Sequence, residues 1–198
     1  VTFLDDFSMT YNGKILDVSG IKSDKITELL AYIISHRYNN ISVGELSDAM
    51  WSDEESDNPA NALKNLVYRT RGILKLCFGA TDFIKTGRGY YSWNRDVAVK
   101  TDSEEFERLY EKAGAESRYE RRIEYQKRAV AYYKKHFLEQ YTDCYWVVTL
   151  NAYYHSIYIK SSYFDDFNFE KEENGQLNLF SSKNDEEYKN RMTIKLWK

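Results

Sequence analysis

Little in this chain supports covalent or metal chemistry. Its 198 residues hold two cysteines and three histidines. Cys77 and Cys144 give no disulfide framework and no ligand spacing; both fall in helix-like stretches and read as small buried hydrophobes of a reducing compartment. His36, His136 and His155 are far apart in sequence, so no metal site is expected. There is no phosphate-cradling G-x-x-x-x-G-K run and no G-x-S-x-G elbow. Carboxylate pairs such as Asp5-Asp6 and Asp165-Asp166 have no nucleophile beside them. Neither catalytic residues nor a cofactor is therefore expected. An apolar run long enough for a bilayer, a signal peptide and a lipidation motif are also missing, which points to a cytoplasmic protein that stays off membranes. The chain opens with Val1 rather than Met, so further domains on either side are allowed for.

A strong net charge is lacking too: the formal total is only -3. The charge is unevenly spread, however. Residues 1–57 carry 4 basic and 11 acidic side chains, and beyond residue 98 the two signs nearly cancel. Between them, residues 58–95 carry seven basic side chains (Lys64, Arg69, Arg71, Lys75, Lys85, Arg88, Arg95) against Asp82 alone, a net of +6. Such a window suits a polyphosphate surface, because each neutralised phosphate releases counterions.

The periodicity of the first half predicts two hairpins around three helices. Phe7, Met9 and Tyr11 alternate with polar residues up to Asn12-Gly13, whose tolerance of positive φ favours a tight turn, so residues 3–18 read as a small antiparallel sheet. A first helix is expected over 24–37, with Ser23 as cap and Ile26, Leu29, Leu30 and Ile33 on one stripe. Ser42 and Glu45 form a capping box for a second, whose apolar face is Val43, Leu46 and Met50. After an acidic loop, Asp53 to Asp57, a third helix opens on Asn58 and Pro59. It turns Leu63, Leu66, Val67, Thr70, Leu74 and Cys77 inward and stops at Gly79. Two β-like arms then flank Gly87-Arg88-Gly89.

The second half is helical. Apolar stripes fall at Phe106, Leu109, Tyr110 and Ala113, then at Ile123, Val130 and Tyr133, then at Trp146, Val147, Leu150, Tyr154 and Ile157. Tyr132, Tyr153 and Tyr163 are surplus to this packing and suit a partner groove. Past residue 164 only the alternation of Met192, Ile194 and Leu196 suggests a strand. The expected division is thus residues 1–98, 99–164 and a tail, 165–198, of uncertain structure.

Hairpin, three helices, hairpin is the order of a winged helix. With the apolar side of the third helix turned inward, Asn61, Asn65, Tyr68 and Gly72 point away, flanked by Lys64, Arg69 and Lys75. Amides, cations and a phenol can hydrogen-bond base edges and phosphates, and no carboxylate interrupts them. Arg88, between two glycines, projects from the second hairpin towards a minor groove. The expected DNA contacts are Asn61, Lys64, Asn65, Tyr68, Arg69, Lys75 and Arg88.

At these residues the chain resembles a known family. Val67-Tyr68-Arg69-Thr70-Arg71-Gly72-Ile73-Leu74 is similar to the recognition helix of OmpR/PhoB-type effector domains, Thr86-Gly87-Arg88-Gly89-Tyr90 to their wing, and Glu45 to Trp51 to their second helix. Thr70 stands where leucine is usual, and Arg88 lies between the wing glycines rather than before them. Asp102 to Phe106, then Tyr133 to Leu138 and Trp146, resemble the bacterial transcriptional activator domain of SARP-type regulators. The resemblance implies an α+β, mainly α chain: a winged helix-turn-helix with an N-terminal antiparallel sheet, followed by a tetratricopeptide-like helical domain. It also implies an activator that binds double-stranded promoter DNA as a homo-oligomer on direct repeats and recruits RNA polymerase, with the acidic 53–57 loop as one contact. A receiver module of a two-component system can accompany such domains. The alternative is a protein-protein interaction scaffold that uses both halves without DNA.

Overall fold

The Asn12-Gly13 turn is where the sequence dictates the structure most directly. In the computed structural model, which describes residues 1–17, 23–51, 58–79, 81–141 and 144–162, these residues take φ of 49° and 75°. They join strands β1 (Ser8–Tyr11) and β2 (Lys14–Asp17) in antiparallel register, Met9 opposite Leu16 and Tyr11 opposite Lys14. The sheet is shorter than the 3–18 expected. Residues 3–7 leave it: Phe3 and Leu4 bond and pack against the helical half, and the buried Phe7 ring lies 5.7 Å from that of Phe3.

Helix α1 (Asp24–Ser35) follows. Ser23 has the extended backbone of a cap but makes no side-chain capping bond. The helix ends two residues before the expected position, where the His36 ring stacks on Tyr32 (4.2 Å) and Arg37 turns its guanidinium back to the Ile34 carbonyl (3.1 Å). Instead of a single apolar stripe, every residue from Ile26 to Ile34 is buried, Glu28 included. Later elements cover the outer side: Trp146 meets Tyr32 edge-on at 5.2 Å, and the Cys144 thiol donates to the Glu28 carboxylate, which Lys25 pairs at 3.2 Å. Both cysteines are half-buried rather than buried, since each sulfur sits at an element edge; Cys77 reaches the Ile15 carbonyl at 3.5 Å.

A short strand, β3 (Ile41–Ser42), leads into α2 (Val43–Trp51). The Ser42 hydroxyl accepts from the Glu45 amide at 3.1 Å, while the Glu45 carboxylate takes the Tyr32 hydroxyl at 3.2 Å. The acidic loop, 53–57, lies outside the described residues. Helix α3 (Pro59–Phe78) is capped by the Asn58 side chain, which accepts from the Asn61 amide (3.1 Å), and ends at Gly79, whose φ of 98° suits glycine. Strands β4 (Ile84–Gly87) and β5 (Tyr90–Trp93) form a hairpin, and β3 joins β5 to complete a three-stranded antiparallel sheet in the order β3-β5-β4.

The second half contributes α4 (Asp102–Ala115), α5 (Tyr119–Val130), a 3-10 turn at Glu139–Tyr141, and α6 (Tyr145–Ser162). Thr101 and Glu104 make a full capping box on α4. Helix α5 stops before Tyr133, whose ring instead stacks on Tyr158 at 4.5 Å. The described chain is thus mostly helical, with six α-helices and two small antiparallel sheets. The tail, 165–198, with Met192, Ile194 and Leu196, lies outside the described residues.

Residues 1–7 tie the halves together. The Phe3 and Leu4 amides donate to the Asp102 carboxylate (2.7 and 2.8 Å), and the Leu4 carbonyl accepts from Lys134 and Lys135 amides (3.0 and 2.9 Å). Phe3 packs on Phe137 at 5.0 Å between ring centres. Lys134 pairs with Asp5 and Lys135 with Asp6, and buried Arg37 pairs with Glu104. One continuous core runs from Phe3 to Ile157.

Candidate nucleic-acid interface

Helix α3 presents its inward stripe as expected: Leu63, Leu66, Val67, Thr70 and Leu74 are buried. Thr70, a polar residue in that stripe, is fully buried and donates its hydroxyl to the Leu66 carbonyl at 2.8 Å. The opposite side is open. Asn61, Lys64, Asn65, Tyr68, Arg69 and Lys75 are all exposed, Tyr68 at 78%. Gly72 is exposed as well, and a side chain there would meet nothing. Among the described residues this face stays exposed along its length, and the helix contains no acidic residue.

Arg88 is exposed at the tip of the β4–β5 hairpin. The tip needs both its glycines, for different reasons. Gly89 holds a φ of 81°, and the Tyr90 ring lies so close over Gly87 that an added Cβ would fall 2.0 Å from it. The tip is also braced from below, since the Gly89 carbonyl accepts from the Val43 amide at 3.1 Å.

The seven basic residues of the +6 window divide into two groups once their partners are known. Arg71 reaches from α3 to the hairpin, donating to the Ile84 carbonyl through Nε and Nη2 (3.1 and 2.6 Å) and to Thr86 Oγ1 (2.7 Å). Arg95 holds the Tyr38 carbonyl at 3.0 Å, and Lys85 pairs with Asp82 at 2.9 Å. Lys64, Arg69, Lys75 and Arg88 meet no carboxylate among the described residues. The structure therefore gathers six of the expected contacts on one helix face, and Arg71 fixes the hairpin that carries the seventh.

Arg71 as a structural pin was missed in the sequence, where it counted only as charge. It is half-buried although one turn from the exposed Lys75, and no sequence pattern separates the two. Several apolar residues are exposed without any local sequence signal. Leu76 (90%) and Ile15 (65%) stand out beside the Cys77–Ile15 contact, and Tyr145 (82%) and Val148 (49%) on α6. Of the surplus tyrosines, Tyr132 and Tyr153 are exposed and Tyr163 lies outside the described residues. Among the described residues no group of histidine, cysteine and carboxylate side chains is arranged to hold a metal, and no helix is long and apolar enough to cross a membrane.

No family profile matches the chain, and no curated protein matches it in sequence. Among solved structures, Mycobacterium tuberculosis EmbR in complex with a low affinity phosphopeptide is similar, with a TM-score of 0.65 at 16% identity. The alignment covers 81% of this chain and 42% of EmbR, so the chain spans less than half of that protein's length. At this identity the likeness is one of fold.

Proposed function

We propose that the chain is a SARP-type transcription regulator that binds promoter DNA. On this reading residues 1–98 form a winged helix and 99–164 a tetratricopeptide-like helical module, in a cytoplasmic protein without catalytic activity. Helix α3 enters the major groove, where Asn61, Asn65 and Tyr68 meet base edges, while Lys64, Arg69 and Lys75 hold phosphates and Arg88 borders the minor groove. The observation that carries the proposal is the uncovered, carboxylate-free face of α3, held beside a glycine-flanked arginine tip. The family resemblance of the sequence motifs and the fold shared with EmbR support it. Homo-oligomers on direct repeats and contact with RNA polymerase belong to the same proposal.

The test is a salt series of fluorescence-anisotropy titrations on duplexes selected from a random pool. Three cations on three phosphates give a log–log slope of about -2.7, at about 0.9 for each phosphate. Arg69→Glu is expected to weaken binding at least tenfold on all duplexes. Unchanged binding by that variant, or no rise in anisotropy with any duplex at low salt, overturns the assignment. The second outcome would favour the scaffold reading, which the exposed Tyr145, Val148 and Tyr153 of α6 support.

A further inference from the structure

His136, in the connection from α5 to α6, and His155, on α6, turn their Nδ1 atoms to one hydroxyl. Tyr133 Oη lies 2.8 Å from His136 Nδ1 and 3.4 Å from His155 Nδ1. The two imidazole rings stand 5.1 Å apart, centre to centre. The frame behind them is firm: the Tyr133 ring stacks on Tyr158, one turn beyond His155, and Phe137, next to His136, is buried. His136 is exposed, and so is its contact with Tyr133, which leaves the cluster within reach of solvent. A phenol has one proton to give, so it donates to only one Nδ1, and the second contact at 3.4 Å exceeds the usual hydrogen-bond range. The same separations suit coordination. With metal–ligand bonds of about 2.0–2.1 Å, neighbouring donors stand about 2.9 Å apart at a right angle and about 3.4 Å at the tetrahedral angle.

We propose that Tyr133, His136 and His155 form a three-donor site for a divalent transition-metal ion of the zinc class, bound through both Nδ1 atoms and the Tyr133 oxygen. The histidine pair falls short of a set built from histidine, cysteine and carboxylate alone, and the phenol supplies the third donor. Imidazole nitrogen suits such ions. Glu139 adds negative potential at the same hydroxyl, while Lys134 and Lys135 are paired with Asp5 and Asp6. On binding, a metal–oxygen bond replaces the phenol O–H bond and the proton leaves to solvent; each imidazole binds as the neutral tautomer that carries its hydrogen on Nε2. Without an ion the Tyr133 hydroxyl, pushed up to about 12 by burial, keeps its proton, so an ionised phenol at mildly alkaline pH marks the bound metal. The site belongs to the helical half, and the inference does not depend on DNA binding.

The experiment titrates the full chain, stripped by chelator and dialysed, with zinc sulfate at mildly alkaline pH, where imidazole is already neutral. Calorimetry in two buffers of different ionisation heat should give one ion bound and one proton released per chain. The ultraviolet difference band of a tyrosinate should grow with the same saturation. His136→Gln and His155→Gln should each weaken zinc at least tenfold, and Tyr133→Phe should abolish both the band and the released proton. His136→Gln alters an exposed side chain, so its fold, checked by circular dichroism, should match the parent. No saturable binding of zinc, or equal affinity in His136→Gln and the parent, would overturn the proposal. Binding without the tyrosinate band, unchanged in Tyr133→Phe, would mean an adventitious ion only, held by a bare histidine pair, and would overturn it as well.

Discussion

Thr70 sits where an aliphatic side chain would be the simpler choice, and the cost is offset locally by its bond to the Leu66 carbonyl. The same local accounting governs the tyrosines. Burial pushes the Tyr32 and Tyr133 hydroxyls up to about 12, with Glu45 adding to the effect at Tyr32 and Tyr158 and Glu139 at Tyr133. In the unfolded chain both ionise near their ordinary value, so between pH 10 and 12 the unfolded state gives up protons that the native state keeps. Stability must therefore fall with rising pH across that window. Urea midpoints at pH 9 and pH 11 check this, and Tyr32→Phe with Tyr133→Phe should reduce the difference without abolishing it, since burial also raises Tyr141, Tyr153 and Tyr154. Single residues are also where the sequence was hardest to read. Leu76 lies off the buried stripe, on the side of Asn65, Tyr68 and Gly72, and nothing local says why an apolar side chain stands there; no pattern marks Arg71 as a pin rather than a free charge.

At the scale of elements, α3 and the β4–β5 hairpin act as one piece because Arg71 spans them with three bonds. Arg71→Ala should destabilise the protein by about 1–3 kcal/mol, since the Ile84 carbonyl loses a charged donor. Arg71→Lys should restore little of this, because an ammonium cannot serve both acceptors in the geometry of a guanidinium fork. Thermal unfolding of the three proteins decides the point; equal melting temperatures would reduce the pin to a surface contact. Element positions were largely legible beforehand. Asn12-Gly13, Asn58-Pro59, Gly79 and the glycines around Arg88 are local signals whose physics is complete within a few residues. Helix α1 was legible in place but not in environment. Its continuous burial depends on Trp146 and Cys144, more than a hundred residues later, and no window of sequence contains that information. On the candidate interface, exposure of the α3 face followed from its wheel, because the inward stripe was unambiguous.

Across the whole molecule, the break in composition near residue 98 does not correspond to a break in packing. Phe3 and Leu4 carry the first strand's leading end into the helical half, and Asp102, Lys134 and Lys135 receive its backbone. Phe3→Ala should cost about 3–5 kcal/mol, as for other fully buried phenylalanines. Both halves should then lose stability together. Far-ultraviolet circular dichroism, which follows the helices of both halves, and tryptophan fluorescence, which follows Trp51 and Trp93 in the first half and Trp146 in the second, should trace a single shared transition in parent and variant alike. Two separated transitions in the parent would show that the halves unfold independently. The buried flank of α1 has a practical side for anyone trimming the gene. A piece that stops near residue 98 would present Phe3, Leu4 and Tyr32 to water, and should precipitate or pair with itself unless its missing helices are supplied as a separate polypeptide.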